Sequence, residues 1–102
     1  MTKKITLLCT AGISTTMLVE KMKQAVKDNG WDYEIAAYGM IDAEKVVPES
    51  SIILLGPQLR YNEKKLNESY PDKIIRSISM KDYGSMDGEA VVRFARKEMG
   101  DE

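Results

Sequence analysis

The chain has 102 residues, 43% of them hydrophobic and 30% charged, with 15 lysines and arginines against 16 aspartates and glutamates. That is the size of one domain, residues 1–102, and it buries roughly 65% of its unfolded surface, enough for a core without covalent or metal staples. With a net charge of −1 and basic residues scattered among acids, the chain lacks the electrostatic footprint of a nucleic-acid partner.

The first apolar run, "KITLLC" (residues 4–9), predicts a strand that ends in the only cysteine. From Thr16 to Asp28 the residues Leu18, Val19, Met22, Ala25 and Val26 form one helical stripe, and Asn29–Gly30 supplies a left-handed stop. "DYEIAAYG" (32–39) alternates Tyr33, Ile35 and Ala37 as a second strand. A short helix is expected over Asp42 to Val47, stopped by Pro48, followed by a strand in "SIILLG" (51–56). A helix over Tyr61 to Ser69 precedes Pro71, and "DKIIRSI" (72–78) is the fourth strand. The last helix is predicted from Asp87, its N-cap, to Met99, with Val91, Phe94, Ala95 and Met99 as its apolar stripe.

Strand and helix thus alternate four times, an α/β pattern. Right-handed crossovers make it a four-stranded parallel sheet of order 2-1-3-4, with helices on both faces. The first and third strands are apolar on both sides, as covered central strands must be. Ligands bind such sheets beyond the carboxyl ends of the strands at the switch point, here between strands 1 and 3. "CTAGISTT" falls there.

Cys9 followed by small residues, then Ser14, Thr15 and Thr16 opening a helix, is a pattern with chemical content. Ala11 and Gly12 permit close backbone approach, successive amides form an anion nest, and the helix terminus reinforces it. The site suits an anion of phosphate size. The same field is expected to bring the thiol pKa down towards neutrality. The chain has no histidine, which excludes a Cys–His or Ser–His pair and a histidine metal site. A single cysteine excludes an internal disulfide and a Cys-x-x-Cys motif, so no metal or other cofactor is expected. The plain alternative is a small buried core thiol.

Cysteine phosphatases with a strand–Cys–loop–helix arrangement use Cys-x5-Arg, whose guanidinium clamps the phosphate. Six residues after Cys9 stands Thr15. Asp82 is the one candidate general acid near that sheet end, and it reads more simply as a turn aspartate. A site that takes a phosphoryl group without promoting its hydrolysis is a carrier.

Three stretches, "KITLLCTAGISTTMLVEKM", "LLGPQLRY" and "DYGSMDGEAV", carry a resemblance that runs nearly end to end. The chain resembles the IIB component of the bacterial sugar phosphotransferase system, of the lactose/cellobiose/chitobiose class. The resemblance implies a flavodoxin-like sheet similar to that of low-molecular-weight tyrosine phosphatases. It also implies a relay in which a IIA component passes a phosphoryl group from its histidine to Cys9. Cys9 then hands it to a sugar, cellobiose or a related disaccharide, bound in a membrane-embedded IIC component. Thr10, Ala11, Gly12, Ile13, Ser14, Thr15 and Thr16 match the loop whose amides hold the phosphoryl group. Gln58 and Tyr83 could sit near the same end, and a plain loop role is simpler for both.

Ile13 and Met17 are apolar at or just after the loop and are expected in a docking patch for IIA and IIC, with core packing as the alternative for Met17. No apolar run approaches the ~20 residues of a membrane span, and the N-terminus lacks the apolar region of a signal peptide. The expectation is a cytoplasmic monomer that visits the membrane through IIC. Two rival readings stay open: a phosphatase or arsenate reductase, which would want the arginine that Thr15 replaces, and a non-catalytic adaptor, in which Cys9 is inert.

Overall fold

The computed structural model describes residues 2–10 and 13–102, with the side chains of Ile13 and Ser14 excepted. Four strands, β1 (Lys3–Cys9), β2 (Tyr33–Gly39), β3 (Ile52–Leu55) and β4 (Ile74–Ser77), form one parallel sheet of order β2-β1-β3-β4, as expected. The helices are α1 (Ile13–Asn29), α2 (Ala43–Val46), α3 (Glu63–Ser69), α4 (Met80–Gly84) and α5 (Gly88–Met99).

Period-two alternation sorts the strand side chains onto two cores. Ile5, Leu7, Ile52 and Leu54 pack with Leu18, Val19 and Met22 of α1 and Val91, Val92 and Ala95 of α5. Leu8, Ile53, Leu55 and Ile75 point the other way, onto Ala43, Val46, Val47, Leu59 and Leu66. β1 and β3 are buried on both faces because helices cover both.

The differences from the sequence expectation lie at element ends. α1 begins at Ile13 rather than Thr16, which shortens the loop after Cys9. The segment before β3 runs as 3-10 turn, α2 and 3-10 turn from Met40 to Glu49, and Pro48 sits in the first positions of the closing 3-10 turn (Val47–Glu49), where proline is tolerated. Residues Pro57–Asn62 already wind as a 3-10 helix before α3. α4 was not anticipated: five residues show no hydrophobic period, and its signal is the cap, Ser79, whose Oγ accepts the Asp82 N–H at 3.1 Å. Asp87 caps α5 as predicted, accepting the Ala90 N–H at 3.0 Å, and Gly30 (φ 68°) ends α1 in the left-handed region.

One buried polar contact holds the β1 layer to α2. Thr6 is fully buried and its hydroxyl bonds that of Ser50, which donates to the Val46 carbonyl at 2.7 Å. Ser50→Ala leaves the Thr6 hydroxyl without this partner and is expected to cost about 1–3 kcal/mol. Thermal unfolding checks it, and an unchanged midpoint would mean that Thr6 is satisfied elsewhere.

At the amino ends of the strands, the guanidinium groups of Arg93 and Arg96 lie 5.0 and 4.5 Å from the Trp31 ring centre. Lys3 pairs with Asp101 at 2.6 Å, and these contacts close the edge remote from Cys9. The Lys3 ammonium and the Tyr33 hydroxyl hold the Asp101 carboxyl below its usual range. Such exposed pairs contribute little stability.

Candidate functional site

β1 carries Cys9 to the carboxyl edge of the sheet, where it pairs with Gly39 on one side. On the other side the Gly56 N–H donates to the Leu8 carbonyl at 2.9 Å and brings the end of β3 against Cys9. The approach is close: a β-carbon on Gly56 would stand 2.8 Å from Gln58 Oε1, which would have to swing aside, and 3.4 Å from Cys9 Cβ. Gln58 is therefore folded back over the strand end towards the cysteine. Cys9 itself is only 3% exposed.

Thr10 is exposed in a bend. Ala11 and Gly12 lie outside the described residues, as do the side chains of Ile13 and Ser14, so the expected amide nest falls largely on positions not described. Thr15, in the first turn of α1, turns inward and is 4% exposed. Its hydroxyl is hydrogen-bonded with that of Tyr83 at 3.1 Å. Thr16 is exposed and lines a shallow depression on α1 with Met17, Glu20 and Gln24. Asp82 opens α4, where its N–H is tied to the Ser79 cap.

The structure thus joins Thr15 to Tyr83 and sets Gln58 near Cys9. The Tyr83 contact was not legible as a site feature, because its partner is 68 residues away. Burial pushes the Cys9 thiol above its ordinary pKa, and the Thr15 hydroxyl pulls the other way without reversing the direction. The expectation of a lowered pKa is corrected: where the thiol loses its water, desolvation outweighs a single hydroxyl.

Among the described residues, the exposed large apolar side chains gather at this same end. Met17 (50% exposed), Ile41 (94%), Tyr61 (76%) and Met80 (67%) each follow the carboxyl end of a different strand. Between two of these segments a cleft of about 240 Å³ is lined by Pro57, Gln58, Arg60, Met80, Tyr83 and Gly84. Met17 is accordingly a surface residue rather than part of the core. Exposed apolar groups concentrated at one end of a sheet are a feature that interaction surfaces share.

Comparison with known proteins decides the family. The family model for the phosphotransferase-system lactose/cellobiose-specific IIB subunit matches residues 4–94. The chain belongs to that family. This IIB subunit is 38% identical to the cellobiose-specific EIIB component of Lactococcus lactis subsp. lactis, over 95% of this chain and 96% of that protein. It is 36% identical, over the same shares, to the galactose-specific EIIB component of Lactococcus lactis subsp. cremoris. The solution structure of the cellobiose-specific phosphotransferase IIB component from Borrelia burgdorferi superimposes with a TM-score of 0.81 at 34% identity, covering 98% of this chain and 94% of that one. As a phosphotransferase-system IIB subunit, the protein is a phosphotransferase. No helix among its described residues is long and apolar enough to cross a membrane.

Proposed function

We propose that this IIB subunit is a phosphoryl carrier that works as a single cytoplasmic domain between a IIA and a IIC component, with Cys9 as the acceptor. The observation that carries the reading is the position of the only cysteine. It stands at the carboxyl end of a central strand at the switch point, and a buried threonine occupies position 15, where a phosphatase would have arginine.

In the first transfer the Cys9 sulfur attacks the phosphorus of a IIA phosphohistidine. An S–P bond forms as the N–P bond breaks, and the thiol proton passes to the departing imidazole nitrogen. A thiol held above its ordinary pKa suits this step, because the leaving group is itself the base. In the second transfer a sugar hydroxyl oxygen attacks the phosphorus, the S–P bond breaks, and the hydroxyl proton returns to sulfur. Between the two steps hydrolysis stays slow for want of a cationic clamp at position 15.

The loop from Thr10 to Thr16 supplies the amides and hydroxyls that hold the phosphoryl group. Met17, Ile41, Tyr61 and Met80 form the rim on which IIA and IIC dock in turn, and the carrier does so as a monomer. The cargo is cellobiose or a related disaccharide, with the choice made mainly in IIC. Near-equal identity to a cellobiose-specific and a galactose-specific relative fits a carrier that does not itself select the sugar.

The test is reconstitution with phosphorylated IIA, IIC-bearing membranes and labelled cellobiose. Sugar phosphate should form only when this chain is added. Release of inorganic phosphate, with no sugar phosphate on any β-glucoside, would replace the carrier by a phosphatase.

A further inference from the structure

We propose that the Gln58 carboxamide is a phosphoryl-binding group, donating an N–H to an oxygen of the phosphoryl group carried on Cys9. This role rests on the carrier reading and adds to the site a residue outside the loop that follows the cysteine.

Local structure fixes where the side chain starts. Gln58 is the second residue of the 3-10 helix Pro57–Asn62, just beyond β3. Pro57 sets the first backbone angle of that turn, and the Leu59 N–H closes it on the Gly56 carbonyl at 2.8 Å. Leu59 is buried with Leu8 and Leu55, which pins the turn to the two central strands.

From this backbone the side chain turns back over the strand end. Its Oε1 lies 2.8 Å from the point that a β-carbon on Gly56 would occupy, and Cys9 Cβ lies 3.4 Å from that same point. The carboxamide and the cysteine thus flank one small gap over Gly56. Oε1 is no farther from Cys9 Cβ than those two distances laid end to end.

A phosphoryl group bonded to the sulfur carries its oxygens three bonds beyond Cys9 Cβ, within reach of the carboxamide. A half turn about the last torsion of Gln58 exchanges its oxygen for its NH2, which has two protons to give. Gln58 is exposed, so its amide exchanges water for an oxygen of the anion. The carboxamide is also the kind of donor a carrier needs. Its bond to an ionised oxygen favours the phosphorylated state, yet it brings no positive charge of the sort an arginine would supply to hydrolysis.

The test uses the chain phosphorylated by a phosphorylated IIA component. Its only glutamines are Gln24 and Gln58, so 15N labelling of glutamine side chains gives two amide pairs. Gln24, which donates to Asp28 at 2.8 Å on α1, is the internal control. Phosphorylation should move one Gln58 side-chain proton downfield and slow its exchange with water, while the Gln24 pair stays in place.

The second readout is the equilibrium share of the phosphoryl group between IIA and this chain, taken by mass spectrometry. That share, unlike the rate, does not depend on how well the two proteins dock. Gln58→Leu should shift it about tenfold towards IIA. Gln58→Glu, of nearly the same shape, should shift it further at neutral pH, because a carboxylate gives no proton and repels the phosphoryl oxygens.

A phosphorylated Cys9 with unmoved Gln58 amide protons overturns the proposal and leaves the carrier reading intact. So does a wild-type share in either variant. Absence of any phosphoryl group on Cys9 would overturn the carrier reading and this role together.

Discussion

Cys9→Ser is expected to keep the fold and to abolish phosphoryl acceptance from IIA, a fall of at least about a thousandfold. The serine hydroxyl replaces a side chain that is 3% exposed, and the change in volume is small. The structural cost should therefore stay near 1 kcal/mol or less. The chemical cost is large because an alcohol is a far weaker nucleophile towards phosphorus than a thiol, and the site offers no histidine to activate it. The check is paired: circular dichroism and melting to establish the fold, and labelled phosphoryl uptake to establish the loss. Uptake by a folded Cys9→Ser protein at the wild-type rate would place the acceptor elsewhere.

The largest expected effect on stability comes from a residue outside the site. A β-carbon on Gly88 would fall 2.5 Å from Met22 N and 2.6 Å from Lys21 O, both backbone atoms that cannot rotate away. Gly88→Ala must lift the start of α5 off α1 and should cost about 1–3 kcal/mol or more. At this chain length that lowers the melting temperature by roughly 5–20 °C. A melting temperature within a degree of wild type would show that the α1–α5 contact is looser than the backbone geometry requires.

The two-sided burial of β1 and β3 and the α1 stripe are legible in local periodicity, and the strand order follows from the alternation of strand and helix with right-handed crossovers. Leu18, Val19, Met22, Ala25 and Val26 are all buried, as their spacing requires. The apolar stripe of α1 becomes visible only from Thr16, whereas the helix itself starts at Ile13, just ahead of the opening turn that Ser14 to Thr16 mark in the sequence. α4 was missed because five residues cannot display a helical period.

At the site, Cys9 could be singled out from the strand–Cys–loop–helix pattern alone. The sign of its pKa shift could not, because it depends on how completely the folded chain removes water from the sulfur. Thr15 was noted in sequence mainly as the residue that is not arginine. Its hydrogen bond with Tyr83 depends on tertiary contact across 68 positions, and no local pattern encodes that. The exposed rim was half visible, in Met17. Ile41, Tyr61 and Met80 become a common feature only when the sheet brings the ends of its strands to one edge.

The central claim is that Cys9 accepts and holds a phosphoryl group. Its most direct test is intact-protein mass spectrometry after incubation with a phosphorylated IIA component, followed by mapping of the modified peptide. The account predicts the gain of one phosphoryl group on the peptide that contains Cys9, stable over minutes in the absence of a sugar acceptor. No gain, or a phosphoryl group mapped to any other peptide, would contradict it.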